Sequence, residues 1–165
     1  MPRFIVASLL LSVIGSTLGA QKATRSRDSA AHDSAFAAMQ ERGTRAMGVD
    51  QHTSIHHFDT LPDGGRIELQ RDVDDSAGTA QIRAHMRAIA RAFKAGDFST
   101  PELVHMRNVP GAEVMAAKRA LIHYEPSDLP RGAELRIRTS DLQARRAIHE
   151  FLAFQRSEHH ATGMR

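Results

Sequence analysis

Residues 52–71, HTSIHHFDTLPDGGRIELQR, decide the architecture. Two short strand-like runs, Thr53–Asp59 and Arg66–Arg71, flank LPDGG, and Asp63-Gly64 between them is a strong hairpin signal. A two-residue turn at 63–64 sets Phe58 opposite Leu69, Thr60 opposite Ile67 and His56 opposite Arg71. Strand side chains alternate, so these residues share one face. Phe58, Ile67 and Leu69 make it the core face. His56 then points inward or to the rim, and His57 to the other side. A shift of one residue in the loop would exchange the two.

The pattern returns at an offset of 68 residues: Leu61-Pro62 falls on Leu129-Pro130, Gly64 on Gly132, Ile67 on Leu135, Leu69 on Ile137 and His56 on Tyr124. The second hairpin is expected from Ala120–Glu125 and Glu134–Thr139 about LPRG. A helix follows each hairpin. Asp74, Asp75 and Ser76 open the first, Ile82, Met86, Ile89 and Phe93 form its apolar stripe, and Gly96 stops it. Ser140 or Asp141 caps the last, which carries Leu142, Ile148, Phe151, Leu152 and Gln155. Between the two units, Pro101 starts a turn or short helix, Pro110-Gly111 breaks it, and Ala112–Arg119 forms another short helix. A lone two-stranded unit has too few strands to hold its apolar side. The prediction is a duplicated α+β fold: a four-stranded antiparallel sheet from two β-hairpin–helix (ββα) units, with both long helices on one face.

Residues 1–20 (MPRFIVASLLLSVIGSTLGA) have a basic start at Arg3, an apolar run from Phe4 to Ile14 and a small-residue end. This is the pattern of a secretory signal peptide cut after Ala20, and the run is shorter than the roughly 20 residues of a membrane span. A periplasmic or secreted protein, soluble once the signal is removed, is expected. Residues 21–46 read as a polar leader with a short helix ended by Gly43, residues 47–158 as a single α+β domain, and 159–165 as a flexible tail.

The chain has 165 residues, with 22 Lys+Arg against 19 Asp+Glu, no Cys, no Trp and one Tyr. The Cys count excludes disulfides, thiolate metal sites and Cys nucleophiles. No G-x-S-x-G elbow, H-E-x-x-H pair, phosphate loop or C-x-x-C-H haem site occurs. Arg83, Arg87 and Arg91 form a basic line on the first long helix, read as its solvated side. Scarce aromatics deny a nucleic-acid binder its stacking platform, and no nucleic-acid partner is expected.

Ten histidines remain to be explained. Imidazole serves metal ligation, acid–base catalysis and pH sensing. Methionine accompanies it at His85-Met86 and His105-Met106. Imidazole suits copper and zinc, and thioether favours Cu(I), so a Cys-free His/Met set in an oxidising compartment points to copper before zinc. Adjacent His56 and His57 project to opposite faces, so a site must combine separate elements. The expected metal ligands are His56 or, through a bulge, His57 from the first hairpin, His85 from the helix, and His105 with Met115 from the connector. The bland reading makes His56 a rim residue, Met86 and Met115 core filler, His149 helix-surface packing, and His159 and His160 part of a frayed tail.

In HTSIHHFDTLPDGGRIEL, VPGAEVM, DLPRGAELRIRTS and AIHEFLAFQ the sequence resembles a group of small, uncharacterised exported bacterial proteins over roughly 47–160. The resemblance implies export and brings no activity, cofactor or catalytic residue. Besides metal binding, two functions are open: a structural or interaction module of the cell envelope with no metal, and a small hydrolase using His85 or His105 as base.

Overall fold

The computed structural model describes residues 31, 33–46, 48 and 53–159. The expected signal peptide, most of the leader and the tail beyond His159 lie outside the described residues. The chain divides into two units, Met1–Ala35 and Phe36–Arg165. In the second, residues 36–46 are helical (α1), and Gly43 lies inside that helix instead of ending it. Met39, Gln40 and Gly43 are buried at helical spacing, and Arg42 Nε donates to the Val104 carbonyl at 2.7 Å. The compact unit thus begins upstream of the boundary expected at 47.

Next come β1 (Ser54–Leu61), β2 (Gly64–Arg71), α2 (Ser76–Ala95), α3 (Ser99–His105), α4 (Ala112–Ala117), a 3-10 turn (Arg119–Leu121), β3 (His123–Leu129), β4 (Gly132–Arg138) and α5 (Leu142–Glu158). The four strands form one antiparallel sheet in the order β1-β2-β4-β3. The α+β class and its hairpin–helix arrangement are as expected. Asp75 and Asp141 cap the long helices by accepting from the Gly78 and Ala144 amides, and Gly96 in the left-handed region ends α2.

Three local expectations are corrected. The first turn is centred on Pro62-Asp63, not Asp63-Gly64, so Phe58 faces Ile67 and His56 faces Leu69. Proline presets the first central position of a turn. The slip is one residue in each strand, so every side chain keeps its face. Secondly, β3 starts at His123 and runs through Pro126 to Leu129. Pro126 is tolerated because β3 is an edge strand, while Ala120 and Leu121 belong to the 3-10 turn. Thirdly, Arg83 and Arg87 are not merely a solvated side. Arg83 donates to the Gly132 and Leu129 carbonyls at 3.1 and 2.6 Å, and Arg87 to Asp128 at 2.6 Å. They tie α2 to the second turn.

The register shows how the halves meet. His56 faces Leu69 in the first hairpin, and Tyr124 faces Ile137 in the second, so the 68-residue offset carries one pairing onto the other. In the central β2–β4 pair, Ile67 lies opposite Leu135, its own counterpart. Arg66 therefore faces Arg136, and Glu68 faces Glu134. Like charges directly opposed would destabilise the sheet. Neighbours relieve them: Arg66 reaches Asp59 at 2.8 Å, Glu68 at 3.5 Å and Glu134 at 3.8 Å.

The helices are exchanged. α2 follows the first hairpin but packs mainly on β3 and β4, while α5 packs on β1 and β2. Gly65 on the core face lets α5 come close, since a Cβ there would strike the Leu152 side chain. Ile82, Leu135, Ile148 and Leu152 are fully buried at this double interface. Leu135→Ala is expected to cost about 2–5 kcal/mol. The exposed Leu103 changed to alanine should stay within about 0.5 kcal/mol of the parent. Urea unfolding midpoints of the two variants check both values.

Candidate metal centre

A cavity of about 90 Å³ opens on the core side of the first hairpin. Its walls include Phe58, Leu69, Ile89 and Phe151, and its donors are His56 of β1, His85 and Met86 of α2, His105 of α3, Gln155 of α5, and His159 at the C-cap of α5. Three of the expected ligands, His56, His85 and His105, thus meet at one place, although they come from three elements. The other two do not join them. His57 lies on the opposite face of β1, across from Glu68, because strand neighbours alternate. Met115 of α4 is fully buried in the core and does not line the cavity.

His159 was expected in a frayed tail. α5 continues to Glu158, and His159 caps it with its amide hydrogen-bonded to the Gln155 carbonyl at 3.0 Å. Its ring stacks on His56 at 5.5 Å between centroids and lies edge-on to His105 at 5.2 Å. A readable signal existed. Counting from cap to cap, Asp75 to Asp141, places Ile148 on Ile82, Leu152 on Met86, Gln155 on Ile89 and His159 on Phe93. His159 therefore occupies the last inward position of its helix. The relation extends to the sheet. Tyr124, the counterpart of His56, packs against Phe93 at 5.9 Å. Where one half has an aromatic pair, the other has two imidazoles.

His105 is the most constrained ring. It is buried, and its Nε2 lies 3.0 Å from Gln155 Oε1. With the amide oxygen as acceptor, Nε2 carries the proton and Nδ1 keeps its lone pair. Nδ1 is buried without a hydrogen bond, and the closest carboxylate oxygen, Glu158 Oε2, is 3.9 Å away, beyond hydrogen-bond reach. A histidine whose second nitrogen is held by a carbonyl has the orientation used in metal sites. His149, by contrast, donates from Nε2 to the Leu61 carbonyl at 3.0 Å and serves packing.

Charge is unwelcome in this space. Burial pushes His56 down to about 4, with His85 and His57 adding to the effect. Burial alone takes His85 down to about 4. Burial also lowers His105, against the opposing pull of Gln155 and Glu158. The first two rings are consequently neutral near pH 7, the form that ligates metal. Among the described residues, no group of three or more His, Asp or Glu side chains stands arranged to hold an ion without adjustment.

A hydrolase would require an activated nucleophile. Among the described residues, Thr100 is the one hydroxyl on the cavity wall, and no hydrogen bond is seen between it and a cavity histidine. No protein family, curated protein or solved structure matches the chain.

Two outcomes follow from the buried rings. Below pH 6.5 the unfolded chain takes up protons that folded His56 and His85 refuse until about pH 4. Stability is therefore complete above about pH 6.5 and is lost as the pH falls toward 4, by up to about 3 kcal/mol for each ring. Urea unfolding at pH 7 and pH 5 measures it, and His85→Gln should flatten the dependence. Gln155→Leu should destabilise the fold by about 1–3 kcal/mol, because His105 Nε2–H loses its acceptor. Thermal unfolding at pH 7 reads that loss.

Proposed function

We propose that the protein binds a transition-metal ion, copper in preference to zinc, in the cavity between the first hairpin, α2, α3 and α5. The observation that carries this reading is the meeting of His56, His85, His105 and His159, from four separate elements, around one small cavity. The His105 tautomer supports it, since Gln155 leaves the buried Nδ1 as an unused donor. Met86 on the same wall adds a thioether, which favours copper in its lower oxidation state. Met115 drops out of the ligand set, and His159 enters it.

The destination we propose is the periplasm or the extracellular space, on the strength of the Arg3-led apolar segment ending at Ala20. Among the described residues no helix is long and apolar enough to cross a membrane. The alternative reading is an interaction module of the cell envelope without metal. Titration separates the two. The full chain should take up roughly one copper ion per chain with a dissociation constant of about 1 µM or tighter. His56→Ala combined with His105→Ala should weaken that uptake at least about tenfold. Millimolar, non-stoichiometric uptake that the double variant leaves unchanged would reduce the histidines to surface scavengers.

A further inference from the structure

We propose that the cavity selects a monovalent soft cation, copper(I), over divalent ions, because every donor on its wall is neutral and its remaining wall is apolar. The inference rests on the metal-binding reading and adds the charge of the ion. Its basis is the chemistry of the lining. The donors are four imidazoles, the Met86 thioether, the Gln155 amide and the Thr100 hydroxyl, and no carboxylate, lysine or arginine lines the cavity among the described residues.

The cost of moving an ion from water into apolar surroundings grows with the square of its charge. A dication held by neutral ligands keeps its full double charge there, whereas a monocation faces about a quarter of the penalty. Divalent sites offset it with anionic donors, and none is present on this wall. The fixed charges nearby do not supply the missing anion. Glu158 lies 3.9 Å from His105 Nδ1, but Arg107 already neutralises it at 2.7 Å. Arg42 is bonded to the Val104 carbonyl and Arg156 to the Phe58 carbonyl, both on residues of the cavity wall. The surroundings hold more positive than negative charge.

Ligand number agrees with ligand type. Zinc requires four ligands in a structural site and three protein ligands in a catalytic one. Copper(I) is satisfied by two imidazoles with a thioether beside them. The ring centroids of His159 and His105 are 5.2 Å apart, and those of His159 and His56 are 5.5 Å apart. Such spacings allow two rings to share an ion at nitrogen bonds of about 2 Å. His105 is the fixed member of the pair, and Gln155 is its positioning residue.

The test uses the full chain without oxygen, with copper(I) delivered from a chromophoric chelator, silver(I) as a redox-inert stand-in, and zinc(II) and copper(II) in parallel titrations. Copper(I) and silver(I) should bind at least about a thousandfold more tightly than zinc(II). The X-ray absorption edge of the copper-loaded protein should show a two- or three-coordinate copper(I) with nitrogen ligands. Gln155→Leu should weaken copper(I) about 10–100-fold. His159→Ala, at the helix end, serves the same purpose if the Gln155 variant does not fold. Zinc(II) or copper(II) bound as tightly as copper(I) would overturn the charge selection, and zinc(II) so bound the preference for copper as well, while metal binding itself would stand. Retention of no metal in any arm would overturn both.

Discussion

Everything in this domain depends on the pairing of β2 with β4. It places Ile67 against Leu135 at the centre of the sheet and joins two hairpins that could not separately retain an apolar face. Because each position on one strand meets the counterpart of its mirror position, the centre has to suit itself. Two aliphatic side chains do so. One step away the same rule opposes Arg66 to Arg136 and Glu68 to Glu134, and Arg66 compensates by reaching Glu68 along its own strand and Glu134 on the diagonal. The exchanged helices then fasten the join, because each hairpin is covered by the helix of the other unit.

The cavity is where this near-symmetry is broken. Phe93 and Tyr124 fill their side with rings that make hydrophobic contact. His56 and His159 hold the corresponding places on the other side, and Gln155 of α5 holds the position equivalent to Ile89 of α2. Polar groups in an inward stripe reduce hydrophobic stabilisation. Their concentration on one half, together with His105 from the connector between the units, marks that half as specialised. The connector has no counterpart in the repeat, so His105 is an addition to the shared plan.

The fold was legible because its signals are local and periodic. Two proline-containing turns, two aspartate caps, one glycine stop and two apolar stripes define nearly every element. The turn centre was misplaced by a residue because Asp-Gly is a stronger dipeptide signal than Pro-Asp. The faces survived, since both strands slipped together. The start of β3 was less readable because this edge strand is exposed along most of its length and carries little alternation. For the site, strand alternation and helix phase placed His56 and His85, and the irregular segment around Pro101 yielded His105. That these three should meet was expected, because neighbouring strand histidines cannot share an ion, but the part α5 plays in enclosing them was not legible, because it depends on α5 crossing onto the first hairpin. His159 was missed because the end of its helix could not be set from the residues after Gln155, although the phase counted from cap to cap carried a signal for its inward position. Met115 looked available beside a connector histidine, yet it faces the core.

The crossing of the helices has a consequence for how the chain is made. A polypeptide emerges from the ribosome amino end first, so β1, β2 and α2 are complete before any residue of β3 or β4 exists. At that stage the stripe of α2 has no sheet to settle on, and the first hairpin has no roof. Neither half can finish alone, and the nascent chain carries uncovered apolar surface until its last helix is released, when both interfaces close together. Such a topology ties survival of the early segments to prompt arrival of the late ones, and it makes a holding factor valuable during synthesis.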